Sequence, residues 1–404
     1  MKAIVAGIGP GNPLYFTQDV KNAITDADIV LSSQSRLEYV KELNENTVYM
    51  GVLDTIKYIN ENSEKKGTIC VAASGDTGFY SIANTVRTRI LPEIETEFLC
   101  GIGSLSYFMS KLRIGYENVR LVSLHGNEKS IVPYVCYNEK VFSLTGGKVK
   151  ASDVVTELLN AGFGDEVQIS VGENLSFENE RILTGTLKEL KNVDFSDLCV
   201  VYIHNSNYVD RYKILKDDDF IRGKSPMTKE AVRNLCTSAL EIRPEDVVYD
   251  IGAGTGAMTC VMALKASESK VYALEKNDFA VELVKENMEK TGIRNIVIKE
   301  ALAPEGLSEF PPCDKVFIGG SSGNAGEIVD ECLKKNPKAV IVITAVTLET
   351  ISEAFNIFNE RNMNFEVICA NISCGQKLGR YNLMKAENPV YIVKGCVKNE
   401  EESA

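Results

Sequence analysis

The sequence predicts an α/β protein with a bilobal N-terminal part, built of two α/β lobes, and a Rossmann-like C-terminal part. Three observations predict it. A glycine-rich turn, Gly7-Ile8-Gly9-Pro10-Gly11, directly follows the apolar run Ala3 to Ala6. A second one, Asp250-Ile251-Gly252-Ala253-Gly254-Thr255-Gly256, follows Val247-Val248-Tyr249. Around them, strand-like apolar runs alternate with helical patterns, as in a largely parallel sheet. Each turn follows a short strand and precedes a helical pattern, where an α/β domain receives the polar end of a nucleotide-like ligand. Two unlike sites of this kind in 404 residues point to two fused enzymes.

In chain order, strands are expected at 2–8, 29–32, 68–73, 97–101 and 120–124. One helix opens at Thr17, its N-cap, with Val20, Ala23 and Ile24 on one face. Another covers 80–91, with Ile82, Val86 and Ile90 spaced for burial. The pattern then changes. A strand at 141–144 and a helix at 152–160, capped by Ser152, are followed in quick succession by strands at 166–171, 180–186 and 198–204. Short links of this kind predict a mixed sheet with antiparallel members. The first domain, 1–205, is therefore bilobal, with its internal boundary near 115–125. Residues 206–222 carry Asp217-Asp218-Asp219 and few apolar groups, and read as a linker. The second domain spans 223–397. Thr228 caps a helix bearing Val232, Leu235, Cys236, Ala239 and Leu240, and strands follow at 247–251, 270–274, 296–298, 315–318 and 339–344. The last two strands, 365–372 and 389–395, are separated by a polar stretch rather than a helix, so they should pair antiparallel. The charged tail, 398–404, is expected to be disordered.

Composition excludes several classes. A net charge of −12 with no basic stripe argues against nucleic acid as a partner. No apolar run is long enough for a membrane span. Met1-Lys2-Ala3-Ile4 enters a strand at once, so a secretory signal is not expected. Eleven cysteines without a CxxC pair point to a reducing, cytoplasmic setting. Cys70, Cys100, Cys199, Cys260 and Cys369 sit in apolar runs and read as buried, inert thiols. With two histidines, His125 and His204, no metal site is expected.

The second glycine loop is ambiguous by itself, because Gly252, Gly254 and Ala257 also satisfy the dinucleotide fingerprint. Three features favour S-adenosylmethionine. Asp250 stands two residues before the first glycine, where it can meet an ammonium and would repel a pyrophosphate. The third glycine, Gly256, comes one place early for a dinucleotide. The terminal antiparallel strand pair is a methyltransferase feature. Glu275, ending the next strand, suits the hydroxyls of a ribose. In the first domain, Ser74-Gly75-Asp76-Thr77-Gly78 and Gly101-Ile102-Gly103-Ser104-Leu105 are further turns at strand ends, and with the first loop they define one crevice.

These motifs carry a family resemblance. Residues 221–396 resemble the decarboxylating C15-methyltransferases of cobalamin biosynthesis. The likeness rests on Ser225-Pro226-Met227-Thr228, on the Asp250–Gly256 loop, on Ala303-Pro304-Glu305, on Gly319-Gly320-Ser321-Ser322-Gly323, on Thr344 to Thr350 and on Asn388-Pro389-Val390. Residues 1–205 resemble the tetrapyrrole methyltransferase family and its C5-methyltransferases. Here the support is His125-Gly126, Thr145-Gly146-Gly147, Gly172-Glu173-Asn174 and Glu180-Arg181-Ile182. Thr77 departs from the proline usual after Gly-Asp.

The resemblance implies two S-adenosylmethionine sites and a shared precorrin-type tetrapyrrole. The first would use Pro10, Gly75, Asp76, Ser104 and Leu105. The second would use Thr228, Asp250, Gly252, Gly254, Thr255, Gly256, Glu275, Ala301 and Leu302. The implied chemistry is two C-methylations and one decarboxylation, with the N-terminal domain methylating C5 and the C-terminal domain methylating C15 and removing the C12 acetate carboxyl. Ser321, Ser322, Thr347 and Tyr381 are candidates for orienting the substrate, and Arg222, Lys224 and Arg380 for pairing with its carboxylates. His125 reads as a base or as a satisfied loop histidine, Glu173 as a cleft carboxylate or a solvated one. Both families suggest a homo-oligomer. The alternatives are methyl transfer to another tetrapyrrole or acceptor, and a non-catalytic protein that binds S-adenosylmethionine.

Overall fold

The computed structural model describes residues 1–126, 129–223 and 225–397; the tail at 398–404 lies outside them, as does Lys224. The chain divides into two compact units. One takes in 1–128, 140–156 and 167–204, the other 129–139, 157–166 and 205 onward. Among the described residues no helix is long and apolar enough to cross a membrane.

The elements before residue 206 are β1 (Lys2–Gly7), α1 (Gln18–Asp26), β2 (Ile29–Ser32), α2 (Leu37–Lys41), β3 (Thr47–Tyr49), α3 (Val52–Glu61), β4 (Thr68–Ala73), α4 (Ile82–Arg89), β5 (Glu95–Leu99), α5 (Ser104–Leu112), β6 (Arg120–Ser123), α6 (Val132–Tyr137), β7 (Lys140–Leu144), α7 (Ala151–Asn160), β8 (Val167–Glu173), β9 (Arg181–Thr186), α8 (Leu187–Leu190) and β10 (Cys199–Asn205). Strands β1 to β5 form a sheet in the order β3-β2-β4-β1-β5, and the pairings of β1, β2 and β4 are all parallel. Strand β1 is buried from Ala3 onward, as an interior parallel strand should be. The second sheet, β6-β7-β10-β8-β9, is mixed: β6 and β7 run parallel, while β7 with β10 and β8 with β9 run antiparallel. Helix α5 already belongs to the second core, where Tyr107, Phe108 and Met109 pack with Phe142, Val200 and Tyr202.

The second unit continues with α9 (Glu230–Leu240), β11 (Val248–Ile251), α10 (Ala257–Lys265), β12 (Val271–Glu275), α11 (Asp278–Thr291), β13 (Ile296–Glu300), β14 (Lys315–Ile318), α12 (Ala325–Lys335), β15 (Val340–Ala345), α13 (Leu348–Glu360), β16 (Asn364–Ala370), β17 (Ser373–Leu378), β18 (Tyr381–Ala386) and β19 (Val390–Cys396). Its seven-stranded sheet has the order β13-β12-β11-β14-β15-β19-β16. Strands β11 to β15 are parallel, and β19 enters antiparallel between β15 and β16, as expected for the last pair. Strand order reverses at β11, so the carboxyl ends of β11 and β14 open a crevice.

Several local expectations change. Ser152 lies inside the first turn of α7 rather than capping it, and Asp153 Oδ2 accepts from the Lys150 amide at 2.8 Å. Thr228 does not cap α9. The helix starts at Glu230, whose amide donates to Asp217 Oδ1 at 2.9 Å, so a distant carboxylate does that work. Residues 206–222, read as a linker, hold the buried side chains of Val209, Leu215 and Phe220. The polar stretch before the last strand is a hairpin, β17–β18, with every residue exposed. Cys100 and Cys369 are exposed, not buried. The first lies just past the end of β5, and the second lies on β16, the edge strand of its sheet.

Candidate functional site

In the first unit, the loops after β1, β4 and β5 meet backbone to backbone. The Gly9 amide donates to the Gly75 carbonyl at 3.1 Å, and the Gly75 amide donates back at 2.7 Å. A Cβ on Gly101 would stand 2.2 Å from the Gly7 carbonyl oxygen, so only glycine allows this approach. Asp76 is held within the same framework. Its Oδ1 accepts from the Gly78 amide at 2.8 Å and its Oδ2 from the Gly101 amide at 3.2 Å.

These loops wall a cavity of about 400 Å³, closed on the other side by His125, Leu144, Thr145, Gly172, Leu175 and Val200 from the second sheet and its loops. Pro10, Gly75, Asp76 and Ser104 line it; Leu105 instead packs against the core around Phe108. Phe79 and Tyr80, at the end of the turn after β4, also line it, as do Ser33 and Arg36, which sequence reasoning passed over because the turn after β2 has no glycine. Glu173 is neither a cleft nor a solvated carboxylate. It is 2% exposed, ion-paired with Arg181, and accepts from the Ser196 amide at 2.7 Å. Burial pushes its pKa up, but the bonds from Arg181 and Ser196 outweigh this and hold it below the usual range.

In the second unit, two adjoining cavities share Pro226, Gly252, Gly254 and Gly319. The smaller, about 320 Å³, is lined by Glu275, Lys276, Ala301, Leu302, Ser321 and Ser322. The larger, about 1230 Å³, is lined by Asp250, Thr255, Thr228, Met258, Arg222 and Lys229, and by Cys374, Gln376 and Lys385 of the hairpin. Gly252 has φ +79°, and a Cβ there would meet the Gly320 carbonyl oxygen at 2.8 Å. Gly256 lies off both linings and serves packing, since a Cβ would press on Val284 at 3.1 Å. Thr347 caps α13 through a bond from the Thr350 amide, and Arg380 and Tyr381 sit at the hairpin tip; none of the three lines a cavity.

Two carboxylates dominate the loop. Glu275 Oε2 accepts from the Gly254 amide at 2.9 Å, which fixes it against the turn and leaves lone pairs for a ligand hydroxyl. Asp250 is fully buried. Its Oδ2 accepts from the Thr259 hydroxyl, but its Oδ1 has no partner among the described residues. Burial pushes this carboxyl up to about 7; the Thr259 bond opposes the rise and the Glu275 charge adds to it. A buried acceptor without a donor is costly, and a cationic ligand group at the cavity wall would satisfy it.

Comparison with known proteins bears on both halves. Residues 2–191 match the tetrapyrrole (corrin/porphyrin) methylases, and residues 219–395 match the precorrin methyltransferase domain. The chain is 37% identical over 182 residues to a probable cobalt-precorrin-6B C(15)-methyltransferase (decarboxylating) of Pyrobaculum calidifontis, covering 44% of this chain and 93% of the relative. It is 25% identical over 394 residues to a precorrin-6Y C(5,15)-methyltransferase [decarboxylating] of a Sinorhizobium species, covering 96% of this chain and 94% of that one. A crystal structure of a precorrin-6y C5,15-methyltransferase from Geobacter metallireducens aligns at 34% identity and a TM-score of 0.44, covering 46% of this chain and 100% of that one. The chain belongs to the decarboxylating precorrin methyltransferases.

Proposed function

We propose that this chain is an S-adenosylmethionine-dependent C-methyltransferase of corrin-ring (cobalamin) biosynthesis. It methylates a precorrin-6B, with or without cobalt, at C5 and C15 and removes the C12 acetate carboxyl. The observation that carries the reading is Asp250. It is a buried carboxylate with one free acceptor, placed under a glycine loop at the point where strand order reverses.

The residues fit the cofactor. Asp250 would accept from its ammonium, and Glu275 would bind the ribose hydroxyls. Gly252, Gly254 and Thr255 bring backbone close, and Ala301 and Leu302 supply an apolar flank. Thr228 faces the larger cavity. When bound, the cofactor supplies an electrophilic methyl group. The protein's part is then alignment, because the attacked ring carbons are already enamine-like nucleophiles. Ser321 and Ser322 offer hydroxyls for orienting groups, and Arg222, Lys229 and Lys385 offer cations for ring carboxylates. Loss of CO₂ places an electron pair that the conjugated ring accepts, so holding the acetate and excluding water suffices. In the first unit, Pro10, Gly75, Asp76 and Ser104 would hold the second cofactor, and His125 stands in the same wall.

A homo-oligomer in a reducing, cytoplasmic setting belongs to this reading. The exposed Leu378, Tyr381, Leu383 and Met384 of the hairpin support the first, and the eleven free cysteines support the second. Sedimentation tests the oligomer. The decisive experiment incubates the pure chain with precorrin-6B and S-adenosylmethionine and weighs the product. Gain of two methyl groups with loss of one CO₂ is expected, and an unchanged mass refutes the reading.

A further inference from the structure

The cavity of the first unit contains a charge that the protein does not balance. Arg36, just past β2, is 6% exposed and lines the cavity beside Pro10, Ser33 and Asp76. Its Nε is buried without a hydrogen-bond partner, and its guanidinium makes no ion pair among the described residues. Asp76, the carboxylate in the same wall, already has both oxygens engaged by the amides of Gly78 and Gly101. The guanidinium carbon lies 4.6 Å from the centre of the Phe177 ring, which offsets only part of the lost hydration. Gly11, at φ +123°, makes room for it: a Cβ there would stand 2.7 Å from Cζ and Nη1.

Arg233 provides the contrast. It is as deeply buried, its Nε likewise has no partner among the described residues, and its guanidinium carbon lies 5.0 Å from the centre of the Phe220 ring, but its other two nitrogens bond Asp217 Oδ1 and the carbonyls of Thr228 and Leu215. A structural arginine is balanced in this way, because burial of an unpaired charge is expensive. Arg36 at a cavity wall has the planar donor fork suited to a carboxylate, and among the described residues no carboxylate pairs with it.

We infer that Arg36 is the carboxylate-reading residue of the first-unit cavity, its guanidinium pairing with a carboxylate of the ligand bound there. This rests on the function proposed above, in which both ligands, the methionine-derived cofactor and the acetate- and propionate-bearing ring, supply such a group.

The test uses the full chain as wild type, R36M and R36K. One arm titrates S-adenosylmethionine by calorimetry, fitted to two sites. The other measures kcat and KM for the C5 methylation, with CO₂ release as the internal control for the second unit. In R36M either the KM for the ring or the Kd of one cofactor site should rise about 10- to 100-fold, the loss of a charge-assisted bond. The parameter that moves identifies which carboxylate is read. R36K should recover little, because a lysine lacks the fork, and CO₂ release should stay within about twofold of wild type. R36M with both constants within about twofold of wild type overturns the inference. If R36M folds poorly, R36K decides: unchanged constants in R36K overturn it equally. Wild type that neither methylates nor releases CO₂ refutes the proposed function instead, and the cofactor titration of R36M still judges Arg36.

Discussion

Asp250→Asn separates ligand binding from folding. The carboxyl is displaced from its ordinary 3.8 to about 7 by burial, so keeping it ionised costs the folded protein roughly 4 kcal/mol at most. Between those values the folded state holds a proton that the unfolded state has lost. Its contribution to stability therefore falls as pH rises through that window. Asparagine removes the charge and keeps an acceptor for the Thr259 hydroxyl, so the variant without ligand should be as stable as wild type at pH 8, or more so. Binding should move the other way. On the proposed function, the free Oδ1 gains a charge-assisted bond to the cofactor ammonium worth about 1.5–3 kcal/mol, so D250N should lose about 10- to 150-fold in Kd at one of two sites. The pH profile follows. Below about 7 wild type must release a proton to bind, and Kd rises by up to about tenfold per pH unit. Above about 8 the ligand's α-amino group loses its charge and affinity falls again. D250N should lack the acidic limb. Calorimetry between about pH 5.5 and 9, with urea melts on the free protein, reads both quantities. A variant that binds within about twofold of wild type, or that loses stability in step with affinity, refutes the assignment.

Gly254→Val tests the division of labour. At φ +57° a β-branched side chain is strained, and it would stand in the wall shared by both cavities. CO₂ release should vanish while C5 methylation of an already decarboxylated ring survives; joint loss in a folded protein refutes the two-site arrangement. Asp217→Ala strips the ion-pair partner from fully buried Arg233 while the two carbonyl bonds remain. Urea denaturation should show a loss of roughly 2–4 kcal/mol, and a loss below about 0.5 kcal/mol would show that the carbonyls suffice. The net charge of −12 repels a polycarboxylate at long range, but salt shortens that reach from about 30 Å at 0.01 M to about 8 Å at 0.15 M. The ring's kcat/KM should therefore rise at least about twofold over that range; a fall would mean that local cations such as Arg36 and Lys385 govern capture.

What could be read from the sequence followed from backbone necessity. Gly75, Gly252, Gly254 and Gly256 have positive φ, and Gly7 and Gly101 touch backbone that a Cβ would strike. Glycine marks such positions whatever surrounds them, so the loops and the strands feeding them were legible. The strand ends that receive Asp250 and Glu275 were legible for the same reason. Side-chain circumstances were not. Nothing in Ser-Gln-Ser-Arg states that Arg36 is buried, or that the one nearby carboxylate is spent on amides. Likewise the cap of α9 comes from Asp217, thirteen positions before Glu230, which a search for a neighbouring Ser or Thr cannot find. The hairpin stayed hidden because its strands lack the alternation that a half-buried sheet imposes; both faces are exposed. Tyr381, expected among the residues that orient the substrate, stands at the hairpin tip, whereas Gln376 and Lys385, on the inner part of the same hairpin, are the residues that reach the lining.

The two cavities answer one physical demand in opposite ways. On the proposed function, each holds a sulfonium cofactor with an amino-acid end and an anionic ring, within a protein that is acidic overall. In the second unit the uncompensated buried group is an anion, Asp250, suited to the cofactor's ammonium, while the cations of the wall are tied loosely or not at all. Arg222 pairs with Asp218 at 2.9 Å, Lys229 with Asp217 at 3.8 Å, and Lys385 with no partner among the described residues. In the first unit the uncompensated group is a cation, Arg36, while the cavity's own carboxylate, Asp76, has both oxygens bonded by backbone amides. Each pocket thus leaves one charge unbalanced, of opposite sign, and in each case the framework spends amides or hydroxyls on the neighbouring carboxylate oxygens. Stability alone would remove both unbalanced groups, since an apolar side chain would serve either core better. Their burial at the linings of separate cavities is what a chain with two different ligand-reading sites requires.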